Sequence, residues 1–287
     1  MSFFDASKSE FCSTNSRKTR SLWYAPTERA NIKHLYNVNF SRKARDAYGR
    51  PYDAGPGMSS GSMITTCDNT HDNGLMNYSA LRRLGQTEDE AWSNLGLYAG
   101  DDGVTPYFPG LPEAIQSVCD DLGWVIKMEV AKPHEPINYL GRVFPSIVTH
   151  DDSYQMLKRT LGKIHLSGNV GISREQAAYN KAAGYLTTDA NTPLISAWCL
   201  AVQRITGLTT VRRETNEEAW KRENLPWPQP NPEFLFESVA KELGMTAAEL
   251  AERHNAILSA DSLDKMPCVL NTPRVVVVDS IVGDVVV

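Results

Sequence analysis

Paired cysteines are missing from this sequence. Cys12, Cys67, Cys119, Cys199 and Cys268 stand singly, with no C-x-x-C, so neither a zinc knuckle nor a disulfide framework is indicated and a reducing, cytosolic setting is expected. Long apolar runs are missing too. None approaches the roughly 18 residues of a spanning helix, and "MSFFDASKSEF" lacks the charged-then-apolar order of a signal peptide, so no membrane segment is expected. Nor is there an internal repeat or a low-complexity segment, apart from the valine-rich end "TPRVVVVDSIVGDVVV", which reads as strand-like or frayed. What remains is an ordinary globular composition: 287 residues, 41% hydrophobic and 22% charged, enough for one large or two modest domains.

The net charge of -5 argues at first against a nucleic-acid partner, but it averages over two basic blocks. Ten Lys or Arg, from Lys8 to Arg50, face only Asp5, Glu10, Glu28 and Asp46 in residues 1–50. Lys158, Arg159, Lys163, Arg174, Lys181, Arg204, Arg212 and Arg213 face only Glu175 and Asp189 in residues 155–213. A basic block is commonly just a solvated face; two of them flanking an acidic turn also suit a phosphate-backbone track.

That turn is "NLGLYAGDDGVTP", residues 94–106. Two carboxylates about 4 Å apart repel by about 4 kcal/mol at an effective dielectric of 20, so the pair is either solvated or neutralised by cations. A tight hairpin, with Gly100 and Gly103 supplying positive φ, accounts for the same residues. Upstream, "SGSMITTCDNT" places Ser60, Gly61, Thr65, Asn69 and Thr70 at S-G-x3-T-x3-N-T spacing. The glycine loop leads into a helix, and Thr65 and Asn69, four apart, share a face from which both can bond one ligand. An N-cap followed by polar surface residues is the bland alternative.

Periodicity fills in the surroundings. "SFFDAS" suits a strand ending at Asp5, Arg20 to Tyr36 has helical spacing, and "YGRPYDAGPGMSSGS" is a loop. "MITTCDNTHDNGLMNYSALRRLG" reads as a helix closed by Gly85, and Thr87 with Glu90 forms a capping box for a short helix before the acidic turn. "PEAIQSVCDDLGWVIKMEV" gives an amphipathic helix, a break at Gly123 and an alternating strand; "NYLGRVF" gives a further short strand. This half is α+β. From residue 151 on, four segments carry helical spacing, and Thr246 starts another helix after a stop at Gly244, so the second half should be a helical bundle. The last two helices could be taken for a DNA-reading helix-turn-helix, but no basic recognition face follows.

These segments carry a family resemblance. "SGSMITTCDNT" resembles motif B and "AGDDG" motif C of viral RNA-directed RNA polymerases; "FFDASKSEF", "LGWVIKMEV" and "YLGRVF" resemble motifs A, D and E in the same order, and "LKRTLGKIHL" and "GYLTTDANTPLISAWC" resemble the thumb of nodavirus-like replicases. The resemblance implies an α+β palm with an antiparallel sheet and flanking helices over residues 1–145, then a mainly helical thumb over 146–287. It implies template-directed nucleotidyl transfer for RNA genome replication, with two Mg2+ or Mn2+ ions about 3.5 to 4 Å apart as cofactors. Asp5, Asp101 and Asp102 become metal ligands. Lys127 becomes the candidate general acid, with Lys132 the runner-up, although a solvated lysine fits the same sequence. Thr65 and Asn69 would face the nucleotide ribose, with Glu10, Ser60, Gly61 and Arg142 as further nucleotide or RNA contacts.

Two departures stand out. Glu10 occupies the place of the second aspartate in the family's D-x4-D, and Met63 stands where proline is usual. No basic motif F precedes motif A, so most of the fingers are expected from an N-terminal replicase segment or a second chain. The implied partners are RNA template and product and nucleoside triphosphates. The implied location is host cytoplasm, at membrane-bound replication complexes through parts absent from this chain. The rival expectation is a catalytically inactive palm and thumb module that binds RNA or a partner replicase chain.

Overall fold

The computed structural model describes residues 9–40, 43–53, 64–167, 171–212 and 227–267. Asp5, Ser60, Gly61, Met63 and the valine-rich end lie outside them. The chain divides into two compact units between Val130 and Ala131.

The first unit opens with α1 (Glu10–Ser21), whose N-cap Ser9 accepts the Cys12 amide at 3.4 Å. The continuous helix expected over Arg20 to Tyr36 is broken. The chain turns at Leu22 and Trp23, makes a single 3-10 turn at Pro26–Glu28, and only then starts α2 (Arg29–Phe40). Pro26 explains the break, because it disfavours helical backbone at Ala25, which is extended at φ -54°, ψ 145°. An antiparallel hairpin follows, β1 (Lys43–Arg45) with β2 (Pro51–Asp53).

The long helix α3 (Thr65–Arg83) is the spine of this unit. It ends at Leu84 ahead of Gly85 at φ +86°, where the sequence places its stop. The Thr87–Glu90 capping box forms and starts α4 (Glu88–Ser93). Then come β3 (Leu97–Ala99), a two-residue turn, and β4 (Asp102–Val104) in antiparallel register, and α5 (Leu111–Leu122). Met76, Ala80 and Leu81 of α3 form the core with Leu111, Ile115, Val118 and Cys119 of α5.

Helix α5 stops at Gly123 (φ +68°), with the Trp124 amide donating back to the Cys119 carbonyl at 2.8 Å. The strand expected in "LGWVIKMEV" does not form among the described residues: 124–130 is irregular. Its alternation is nevertheless used, since Trp124 is buried and Ile126 and Met128 pack on the core while Val125 is 60% exposed. Period-two hydrophobicity reports which face is covered; a strand also needs a ladder partner.

In the second unit "NYLGRVF" is a hairpin rather than one strand. β5 (Ile137–Tyr139) and β6 (Arg142–Phe144) flank Leu140 (φ +51°) and Gly141 (φ +75°), positive at both central residues as a I′ turn requires, and β7 (Tyr154–Gln155) pairs with β6. The segment ascribed by sequence to the end of the first domain thus lies within the second unit. Helices α6 (Leu157–Lys163), α7 (Arg174–Thr188), α8 (Ile195–Thr206), α9 (Pro232–Leu243) and α10 (Ala247–Leu258) follow where the spacing places them. Leu161, Leu194, Ile195, Trp198, Val202, Leu235, Val239, Leu250 and Ile257 fill the core between them. The observed mixture of helices and small antiparallel sheets agrees with an α+β class.

Candidate active site

The acidic pair sits at the tip of the β3–β4 hairpin. Ala99 pairs with Asp102, so Gly100 and Asp101 are the two central turn residues. Gly100 has φ +68° and Asp101 does not lie in the left-handed region, the pattern of a II′ turn. The hairpin and the exposed carboxylates are therefore one feature: the turn holds Asp101 and Asp102 side by side in solvent. Gly103, expected to supply a second positive φ, has none. It is needed for space instead, because a Cβ there would lie 2.8 Å from Tyr98 Cδ1 and 3.0 Å from Asn73 Nδ2.

Helix α3 carries this turn. Thr70 Oγ1 accepts the Gly100 amide at 2.8 Å while its own proton goes to the Thr66 carbonyl at 2.7 Å. Asn73 Nδ2 donates to the Asp101 carbonyl at 3.3 Å. One turn further along, Asn77 donates to Asn73 and accepts the Thr105 hydroxyl at 3.0 Å. Another side of the same helix grips the N-terminal helices: Asp72 accepts Ser16 Oγ at 2.8 Å, and Asp68 accepts both Arg20 Nη2 at 2.7 Å and Tyr36 Oη at 2.8 Å. Burial and the neighbouring Asp68 carboxylate push the Tyr36 phenol well above its usual range, so it stays a donor. Asp68, Asn69, Asp72, Asn73 and Asn77 are all at most 4% exposed.

The remaining expected residues fall on several elements of the two units. Thr65 is the first, half-buried residue of α3 and Asn69 is 2% exposed on the same helix. Glu10 is exposed in the first turn of α1. Lys127 is exposed and bonded to Glu129 Oε1 at 2.7 Å, and that carboxylate raises the lysine pKa. Lys132 is exposed, its amide donating to Glu135 Oε2 at 2.8 Å. Arg142, expected as a nucleotide or RNA contact, is buried: the residue is 7% exposed, its guanidinium donates to Ser153 Oγ at 2.9 Å, Ser153 O at 2.7 Å, Thr188 O at 3.1 Å and Asp189 Oδ2 at 3.2 Å, and it stacks 4.8 Å from the Trp227 ring. Its donors are consumed within the fold. Part of the second basic block is spent likewise: Lys181 caps the Lys163 and Leu166 carbonyls, Arg204 those of Leu258 and Ala260, and Arg174 pairs with Asp264.

Among the described residues no group of three or more His, Cys, Asp or Glu comes close enough to hold a metal ion. Asp101 and Asp102 do supply two adjacent, accessible, hard oxygen donors on a turn fixed through its backbone. That suits a magnesium ion, which keeps several waters and takes only one or two carboxylates from a protein.

Asn73 and Asn77 had no role in the sequence reading, Thr70 entered it only as part of a spacing pattern, and Gly103 only as a turn residue. A signal was available: Asn69, Asn73 and Asn77 recur every four residues in a long helix, where asparagine is a poor helix former and needs another reason to be there.

No protein-family model matches the chain. It is 35% identical over 288 residues to the RNA-directed RNA polymerase of Pariacoto virus, which covers 99% of this chain and 30% of that protein. It is 36% identical over 251 residues to the RNA-directed RNA polymerase of Pieris rapae virus, covering 87% of this chain and 25% of the relative. A third RNA-directed RNA polymerase, from Greasy grouper nervous necrosis virus, is 32% identical over 219 residues, or 74% of this chain and 22% of that protein. The chain thus spans less than a third of the length of these relatives.

Proposed function

We propose, from the chain's place among the nodavirus-like viral RNA-directed RNA polymerases, that it supplies the acidic turn and its supporting helix to template-directed nucleotidyl transfer. The observation that carries this reading is the β3–β4 turn, which presents Asp101 and Asp102 to solvent while α3 holds the turn's backbone. Asp101 and Asp102, with Asp5 from outside the described residues, would hold two divalent ions, Mg2+ or Mn2+. When bound, such ions acidify the primer 3'-hydroxyl and neutralise charge on the triphosphate.

The chain's own residues divide the other tasks. Thr65, half-buried at the start of the helix behind the turn, carries a hydroxyl suited to a ribose 2'-hydroxyl, which both donates and accepts, whereas Asn69 is buried on that helix and would have to be uncovered to join it. Lys127 carries the proton that a general acid for departing pyrophosphate needs, but the ion pair with Glu129 raises its pKa and makes it a weaker donor until that pair opens. The guanidinium of Arg142 holds the β5–β6 hairpin in place rather than touching RNA. Grip on the triphosphate, and most of the template path, would come from parts of the replicase beyond this chain.

Asp101→Asn in the full-length replicase tests the reading. Template-directed incorporation should fall far more than tenfold with the melting temperature unchanged. A loss smaller than about tenfold, about 1.4 kcal/mol of transition-state stabilisation, would overturn the assignment.

A further inference from the structure

We infer that Asn73, oriented by Asn77, and Thr70 are positioning residues that set the angle at which Asp101 and Asp102 are presented; the inference rests on the catalytic reading of that turn. Both aspartates are exposed. Among the described residues, the backbone of the tip is held by a pair of bonds to consecutive residues, the Gly100 N–H and the Asp101 carbonyl, made by side chains three positions apart on α3.

The bond to Asp101 ends a chain with a single direction. The Gly96 amide donates to Tyr98 Oη at 3.0 Å, and the Tyr98 and Thr105 hydroxyls meet at 3.0 Å. Thr105 spends its one proton on Asn77 Oδ1, so Tyr98 must donate to Thr105. Asn77 Nδ2 donates to Asn73 Oδ1 at 3.1 Å and to the Asn73 carbonyl at 2.9 Å, which leaves the Asn73 amide nitrogen facing the Asp101 carbonyl. Every member accepts on one side and donates on the other, and each bond polarises the next. The chain begins and ends on the hairpin, with α3 between. Reversing its polarity at Asn77 would turn the oxygen of Asn73 toward the Asp101 carbonyl and push the turn away.

Such a network predicts an effect on geometry, and hence on metal use, at residues that touch no ligand. In the full-length replicase, Asn77→Asp keeps the shape but replaces the donor to Asn73 with an acceptor, Asn73→Ala removes the last link, and Thr70→Val removes the acceptor for Gly100 without changing volume. Hydrogen exchange of the peptide covering residues 97–105 should accelerate about tenfold in each, with the α5 peptide unchanged. The turnover number should fall about tenfold with the nucleotide KM within about twofold, and half-maximal activity should need more Mg2+. Unchanged exchange at the turn, or a turnover loss with the Mg2+ requirement unmoved, would overturn the inference; Thr70→Val keeps the test open should the asparagine variants fail to fold. Activity surviving Asp101→Asn would instead sink the catalytic reading, while the exchange result would still report on the network.

Discussion

The two units bury polar groups in different ways. In the first, α3 turns five polar side chains inward along its length, Asp68, Asn69, Asp72, Asn73 and Asn77, reaching two helices on one side and the acidic turn on another. In the second, the buried charges Arg142 and Asp189 gather in one knot with Ser153, closed by Trp227 and Gln229, while the helices meet through Leu, Ile, Val and Trp. A buried hydrogen bond adds little net stability but fixes direction, whereas apolar packing adds stability and fixes direction weakly. A helix that must aim other segments is therefore polar where a bundle that must hold together is apolar. The knot in the second unit locks the β5–β6 hairpin to the end of α7.

The largest test of this contrast is Arg142→Ala. It leaves the fully buried Asp189 carboxylate without its cation, held only by the Gln155 amide and the Thr188 and Thr192 hydroxyls, and breaking one side of a buried pair costs about 3–5 kcal/mol, so the second unit should melt on the order of 10 °C lower. An Arg142→Ala protein that melts like wild type would mean that the knot is not what holds the hairpin. A middle-sized effect belongs to Gly103→Ala in the first unit. The added methyl collides with Tyr98 and Asn73 and should cost about 1–3 kcal/mol in denaturant unfolding, with loss of activity beyond what unfolding explains. Stability equal to wild type would show that the turn can move off α3 freely.

The smallest effect depends on pH. His254 Nδ1 accepts the Leu194 amide at 3.3 Å, and burial lowers its pKa below the ordinary 6.5. Below about pH 6.5 the unfolded chain then binds more protons than the folded one, so stability is full above that pH and declines as acid is added through the folded pKa. His254→Gln removes this contribution. The gap in urea midpoint between wild type and His254→Gln should narrow from pH 7.5 to pH 5; a constant gap would mean that burial does not lower the His254 pKa.

The relatives are all RNA-directed RNA polymerases, and the acidic turn could be placed from the sequence because its signal is short and local. Asp101 and Asp102 at a hairpin tip followed from Gly-Asp-Asp-Gly between two apolar runs, and the structure keeps both on the surface. The role of Arg142 was not readable. Its short motif was visible, but its partner Asp189 lies 47 residues further along the chain, and only folding brings the two together. The same holds for Asn73, whose contact with the turn spans 28 residues.

What the sequence determined by itself is whatever neighbours within a turn or two decide. The Thr87–Glu90 box, the stops at Gly85, Gly123 and Gly244, the helices of the second unit and the hairpin at residues 97–104 all rest on bonds or φ values within a few residues. Tertiary structure decided whether the alternating stretch 124–130 found a ladder, why Gly103 must lack a side chain, and which cations are spent within the fold. Those outcomes depend on groups distant in sequence that compete for the same buried hydrogen bonds, and no local pattern encodes which of them wins.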